Sequence, residues 1–183
     1  MLTPISKKHL EDKFGKAIRY PSHFNELALE ISANTKESIS ANTLKRLFGF
    51  INEQREPRMV TLDLIAQYLG FNNWDDYLID ICRLARLEYP DKEMIDVGSL
   101  DILSYLEIHY APNGRVLMRF LGDFRFEITE AINSTLLVAD VVEVYNLFRF
   151  YPLIVPHVVR CGNHLGPFFV GKVSGITYMK VLE

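Results

Sequence analysis

The residues that could support catalysis or metal binding do not gather into a recognised pattern. The five histidines have no HxH or HExxH spacing, the arrangements that commonly supply two metal ligands close together. The best metal suggestion joins Cys161 and His164, with His157 as a third ligand, around one loop. However, Gly162-Asn163 between them is typical of a turn, and a fourth ligand is not visible. The sequence predicts neither a metal site nor an enzyme.

Phosphate-binding loops are also missing from the sequence. Neither GxxxxGK[ST] nor GxGxxG occurs, so no nucleotide cofactor is expected. The adjacent carboxylates of Asp75 and Asp76 suit the first turn of a helix, where they meet the positive end of the helix dipole. We therefore predict no cofactor and no catalytic residue.

A polar and basic strip is predicted on one helix of the N-terminal half. With Leu44 at 0° and about 100° per residue, Asn42 and Arg46 fall near the opposite side, flanked by Lys45 and Gly49. Arginine can pair with guanine and asparagine with adenine in the major groove of DNA. The same pattern also fits side chains that merely solvate an amphipathic helix.

Bulk charge does not favour a polyanionic partner. The 183 residues carry a formal net charge of -3. Any binding to nucleic acid must therefore depend on a local cluster of basic residues, and membrane binding is not expected. Between residues 36 and 58 there are five basic and three acidic side chains, and Lys45, Arg55 and Arg58 are candidates for phosphate contacts.

The sequence favours a location in the cytoplasm. It has only two cysteines, and it has no apolar segment long enough to span a membrane.

Five short helices are predicted in the first 90 residues. Four sets of apolar residues share the spacing i, i+3, i+4, i+7, which is typical of one helix face. Ser22, Ser40, Thr61 and Asn73 are the predicted N-caps, and Gly70 is a predicted stop. Thr3 and Pro4 predict the start of an earlier helix. The four sets are Phe24, Leu27, Ala28, Ile31; Leu44, Leu47, Phe48, Ile51; Leu62, Ile65, Ala66, Leu69; and Trp74, Tyr77, Leu78, Ile81.

After residue 90 the pattern changes to short β-branched and aromatic runs between turn residues, which predicts strands. Pro112-Asn113-Gly114 and Gly122-Asp123 are predicted hairpin turns, and Ser174-Gly175 is expected to form a tight final hairpin. Seven such strands favour a small closed or half-closed barrel, because an open sheet would expose apolar edges. The predicted strands are 106–110, 116–121, 124–129, 141–148, 153–159, 168–173 and 176–181.

The predicted fold class is therefore multidomain, α then β. An all-α, helix-turn-helix-like bundle occupies residues 1–90, a linker spans 91–99, and a small antiparallel β-barrel covers 100–183. The aromatic residues of the second half are expected mainly in the barrel core. Phe148, Phe150 and Tyr151, before Pro152, are unusually apolar for a connection and form a candidate interface or a buried turn.

Residues 24–77 resemble a lambda-repressor-like helix-turn-helix domain. FNELA at 24–28 resembles the first helix of the motif, ISANTLKRL at 39–47 the start of the recognition helix, and PR at 57–58 with TLDLIAQYLG at 61–70 the next loop and helix. The chain is also similar to a group of uncharacterised bacterial two-part proteins with TLKRLFGF and NWDD-like segments. The connection SANTKES at 32–38 is longer than in most members, so either the first helix continues or a loop follows.

The resemblance implies a bacterial DNA-binding transcription regulator in which two copies place their recognition helices in successive major grooves. The β-half would dimerise or sense a ligand. Non-enzymatic binding of a protein partner through the same helical face is the alternative. The expected partners are duplex DNA and a second copy of the chain, and the expected DNA contacts are Asn42, Thr43, Lys45, Arg46, Arg55 and Arg58.

Overall fold

A computed structural model describes residues 1–52, 56–88 and 93–182, with only the backbone described for 83–88. The chain divides into a helical unit, Met1–Ile81, and a β unit, Cys82–Glu183. Within the described residues five helices precede a mostly antiparallel sheet region, which confirms the predicted order of α then β. None of the described helices combines the length and the apolar character that crossing a bilayer requires.

The five helices correspond to the four predicted apolar patterns and to the helix predicted from Thr3 and Pro4. Nearly all the residues of the four patterns are buried, while Leu69 and Ile51, which lies beyond the end of α3, remain partly accessible. In the helical unit, Tyr68 donates a hydrogen bond of 2.6 Å to Glu30 and thereby joins two helices. The helices are α1 Pro4–Phe14, α2 Pro21–Thr35, α3 Ala41–Phe48, α4 Met59–Leu69 and α5 Trp74–Glu88.

Three of the predicted N-caps are confirmed by hydrogen bonds. Thr3 Oγ1 accepts from the Ser6 N–H at 3.0 Å, and Pro4 opens α1. Asn73 Oδ1 accepts from the Asp76 N–H at 2.9 Å at the start of α5. The third cap is Ser40, on α3, and Gly70 ends α4 as predicted.

The other two predicted caps, Ser22 and Thr61, are wrong because their helices start earlier. Proline is favoured at the first helical position, and α2 begins at Pro21, so Ser22 already lies inside it. α4 begins at Met59, two residues before Thr61. Neither helix therefore uses the predicted side chain as its cap.

The β unit contains one seven-stranded antiparallel sheet and two two-stranded ribbons. The order in the large sheet is β11-β2-β3-β4-β5-β8-β9, and the ribbons pair β1 with β6 and β7 with β10. The strands are β1 Met94–Asp96, β2 Tyr105–Tyr110, β3 Gly114–Gly122, β4 Arg125–Ile132, β5 Val141–Glu143, β6 Asn146–Phe148, β7 Leu153–Val155, β8 Val158–Arg160, β9 Asn163–Leu165, β10 Phe168–Val170 and β11 Ile176–Leu182.

Among the described strands the large sheet does not close. β9 and β11 are its two edges and do not pair with each other, so no closed barrel is found in this part of the chain. The predicted hairpins β2–β3 and β3–β4 are confirmed. The run 153–159 is two strands because Pro156, which has no N–H to donate to a strand ladder, interrupts it.

The predicted final hairpin is wrong. β10 pairs with β7 and β11 pairs with β2, so the two runs on either side of Ser174-Gly175 are not neighbours. Gly175 does have a positive φ of 66°. A Cβ added there would lie 2.3 Å from the Phe150 carbonyl carbon, so close approach of another segment also requires glycine at this position.

The described part of the predicted linker is structured. Residues 94–96 form β1, and a 3-10 turn follows at Val97–Ser99. Val97 is fully buried and belongs to the core of the β unit. This segment therefore contributes to packing within the β unit.

A buried ion pair fixes the connection between β4 and β5. The Asp140 carboxylate is 1% exposed and accepts hydrogen bonds from Arg160 at 2.8 and 2.7 Å and from the Leu137 N–H at 2.8 Å. Arg160 also donates to the Thr135 carbonyl at 3.1 Å. Burial raises the pKa of Asp140, but the hydrogen bonds from Arg160 and Leu137 outweigh it and leave the pKa below its ordinary value.

This pair makes a prediction about acid stability. Because the folded pKa of Asp140 is lowered, its carboxylate stabilises the β unit above the ordinary aspartate pKa of about 4, and this contribution is lost as the pH falls through the lowered value. Asp140→Asn should reduce the urea midpoint at pH 7, and the difference from the natural chain should shrink towards pH 2.

The matched control is Asp123→Asn. Asp123 is 92% exposed and lies 3.6 Å from Arg125, and such surface pairs contribute little. Its urea midpoint should match that of the natural chain at both pH values. An Asp140→Asn defect of equal size at pH 7 and pH 2 would contradict the role of the carboxylate charge.

Candidate nucleic-acid interface

α3 starts at a serine cap and packs one apolar side into the helical unit. Ser40 Oγ accepts from the Thr43 N–H at 3.1 Å. Leu44, Leu47 and Phe48 are each less than 10% exposed. The cap fixes the first residue of the helix, and the buried side fixes its rotation, so Asn42 and Arg46 face outward.

The other end of α3 is closed by a glycine and a lysine. Gly49 has a φ of 86° and donates its N–H to the Arg46 carbonyl at 3.1 Å. Lys7 Nζ donates to the Phe48 carbonyl at 2.9 Å, which places a cation at the negative end of the helix dipole. Burial lowers the pKa of Lys7, and the Glu11 carboxylate opposes this shift.

Of the two alternatives for residues 32–38, the structure shows that the first helix of the predicted motif, α2, is extended. α2 continues to Thr35, and Lys36 follows with a φ of 60°. Ile39 is 8% exposed and donates its N–H to Ser32 Oγ at 3.3 Å. The turn between α2 and α3 is therefore anchored to α2.

Five of the six predicted DNA contacts lie on or next to the outward side of α3. Arg55, the sixth, lies outside the described residues. Asn42, Arg46 and Arg58 are exposed, whereas Thr43 and Lys45 are half-buried.

Three of these residues also line one cleft of about 300 Å³, which we call the α3–α4 cleft. The apolar side chains of Met1 and Leu47 form part of its wall. Sequence reasoning missed Glu56 as a cleft residue because the segment before α4 has no periodic pattern. The polar and turn residues of the cleft are Thr43, Arg46, Glu56, Pro57, Arg58 and Thr61.

No family model, curated protein or solved structure matches this chain. Function is therefore inferred from the chemistry of α3 and of the α3–α4 cleft. Two arginines, two threonines and one glutamate line this cleft. Such a set can bind an oxyanion through charge-assisted hydrogen bonds.

The described residues contain no group of three or more histidine, cysteine, aspartate or glutamate side chains that could hold a metal ion. Cys161 is exposed in the turn between β8 and β9, and His164 lies on β9. The metal site suggested for these two residues with His157 is therefore not formed.

The candidate interface in the β unit is mostly inaccessible. Phe148 is 9% exposed and Tyr151 is 2% exposed, whereas Phe150 is 38% exposed. The Arg149 guanidinium lies over the Phe150 ring, 5.0 Å from its centre. Of the three predicted residues, Phe150 offers the accessible surface.

The Ser40 cap can be tested directly. Ser40→Ala should reduce the free energy of unfolding of the helical unit by about 1 kcal/mol, because the Thr43 N–H loses its acceptor. Urea denaturation followed by circular dichroism measures the loss, and hydrogen exchange locates it in α3. The exposed Ser38 supplies the control, since Ser38→Ala should change stability by less than about 0.5 kcal/mol. Equal losses for both variants would contradict the capping role.

Proposed function

We propose that this protein is a cytoplasmic DNA-binding transcription regulator whose helical unit contacts duplex DNA through α3. The observation that carries the proposal is the common location of Asn42, Arg46 and Arg58 on the exposed side of α3 and beside it. These residue types supply both base recognition and phosphate neutralisation. The resemblance to repressor-type helix-turn-helix domains supports the same function.

The dimensions of α3 suit a major groove. An α-helix with its side chains is about 10–12 Å in diameter, which fits the major groove of about 12 Å width, and the eight residues of α3 extend over about 12 Å of its length. Asn42 lies at the second position of α3 and is exposed. Its amide can pair bidentately with adenine, so Asn42 is the proposed base-reading residue.

The β unit is proposed to dimerise or to sense a ligand, in the form of a half-closed barrel. The large sheet and both ribbons contribute to one apolar core, which includes Leu147 of β6, Leu153 of β7 and Val170 of β10. A shared core supports the ribbons folding over the sheet. Two-fold pairing of the chain would set the spacing of the two α3 helices on DNA.

A protein partner on the same face is the second candidate. Next to Arg58, Met59 is 44% exposed and Val60 is 67% exposed, and exposed apolar neighbours are typical of protein interfaces. The two candidates differ in their dependence on salt. Binding driven by phosphate contacts weakens steeply as the salt concentration rises.

The first experiment incubates the full chain with sheared genomic DNA from the source organism at about 50 mM salt, where phosphate contacts are strong, and sequences the retained fragments. We expect enrichment of a few palindromic sites. The combined variant Asn42→Ala, Lys45→Ala, Arg46→Ala should lose this enrichment, because it removes the proposed base contact and two cations.

The charge-matched control is Lys13→Ala with Arg19→Ala, which removes two exposed cations of the same unit that neither belong to α3 nor line the α3–α4 cleft. This variant should retain the same sites as the natural chain. If the folded natural protein enriches no sites at low salt, DNA binding is wrong and a protein partner becomes the leading function.

A further inference from the structure

The α3–α4 cleft brings together two arginines from different segments. Arg46 belongs to α3, whereas Arg58 immediately precedes α4, and both residues line the same cleft. A guanidinium group presents several N–H donors in a fixed plane and can bind a phosphate through two of them. Two such groups in one cleft suit a single phosphate better than two neighbouring bases.

Hydroxyl groups complete the polar lining. Thr43 and Thr61 are half-buried members of the cleft. The Thr43 hydroxyl lies 2.9 Å from that of Ser40, and a hydroxyl can engage more than one partner because it has a donor and two acceptor positions. Both threonines can therefore contribute hydrogen bonds to an oxyanion.

The start of α4 adds positive potential to the cleft. α4 begins at Met59 with Arg58 as its N-cap residue, and within the described residues its first turn has neither a side-chain cap nor an acidic residue. Backbone N–H groups at a helix start favour an anion. This effect supplements the two arginines and would not define a site without them.

Glu56 narrows the chemical class of the ligand through charge repulsion. It lines the cleft together with Arg46, Arg58 and Met1, and it interacts electrostatically with the Met1 amino group, whose pKa is lowered by burial. A phosphodiester carries one negative charge, whereas a phosphomonoester carries between one and two near neutral pH. Because the Glu56 carboxylate repels the more highly charged anion more strongly, the cleft favours a phosphodiester.

We propose that the α3–α4 cleft binds one phosphodiester group, held by the guanidinium groups of Arg46 and Arg58 together. The proposal rests on the proposed DNA binding for the source of that group, the backbone of the duplex. It assigns Arg46 to phosphate binding instead of guanine recognition. Sequence preference then depends on Asn42, and affinity for any sequence depends on the cleft.

The first arm of the test needs no DNA. The full chain, labelled with ¹⁵N, is titrated with dimethyl phosphate, with inorganic phosphate and with chloride, and the arginine Nε–H signals are followed by NMR. Arg46→Lys and Arg58→Lys assign the signals and remove the planar fork while keeping the charge. Dimethyl phosphate should shift both signals saturably, whereas chloride should not.

Glu56→Gln supplies the matched variant for charge selection. Removing the carboxylate should strengthen the binding of inorganic phosphate several-fold and that of dimethyl phosphate less, because the multiply charged anion is repelled more strongly. Arg19→Ala removes an exposed cation that does not line the cleft, and it should change neither titration. Titrations in which dimethyl phosphate leaves the Arg46 signal or the Arg58 signal unchanged would overturn the proposal.

The second arm measures binding to a duplex of about 20 base pairs at several salt concentrations. Arg46→Ala should weaken binding to all sequences alike and reduce the salt slope by about one unit. Because both arginines hold the same phosphate, the double variant Arg46→Ala with Arg58→Ala should reduce the slope by little more than either single variant.

The two arms separate the failure of this inference from that of the proposed function. A chain that binds dimethyl phosphate in the cleft but retains no DNA keeps the phosphodiester site and loses the DNA-binding function. A chain that binds DNA while Arg46→Ala abolishes sequence preference with an unchanged salt slope keeps the function and overturns the phosphate assignment. Additive slope changes in the double variant would also overturn the shared phosphate.

Discussion

The exposed chemistry of the helical unit depends on the hydrogen bonds that close the two ends of α3. An isolated helix of eight residues is unstable in water, because too few hydrogen bonds repay the ordering of its first turn. Ser40 at one end and Gly49 with Lys7 at the other supply partners for backbone groups that the helix leaves open. Together with the buried Leu44, these contacts hold the polar side of α3 in a defined orientation.

The helices and the outward face of α3 could be predicted because both follow from a local period. A rotation of about 100° per residue places Leu44 and Arg46 on nearly opposite sides of the helix. The caps Ser22 and Thr61 were wrong, since each helix starts one or two residues earlier, at Pro21 and at Met59. The α3–α4 cleft was not predictable, because the path of the chain at Glu56 depends on packing between elements and has no periodic signal.

Strand pairing in the β unit shows the same limit. Most runs were correctly predicted as strands, because alternation and β-branched composition are local. β9 was not predicted because all three of its residues are exposed and show no apolar alternation. β1 was not predicted because it lies within the charged segment that was interpreted as a linker. β10 pairs with β7 and not with β11, the next strand along the chain. Hydrophobic patterning shows which face of a strand is buried but does not specify such a non-local partner.

A net charge of -3 is compatible with a nucleic-acid partner because salt screens the interaction between charges that are far apart. At physiological ionic strength exposed charges are screened beyond about 8 Å, so the potential at a bound phosphate depends on the groups close to it and not on the net charge of the chain. In the α3–α4 cleft these groups include Arg46 and Arg58 as well as Glu56. Such an arrangement gives little long-range attraction and makes affinity depend on short-range hydrogen bonds, which favours a geometrically defined phosphate over a diffuse polyanion.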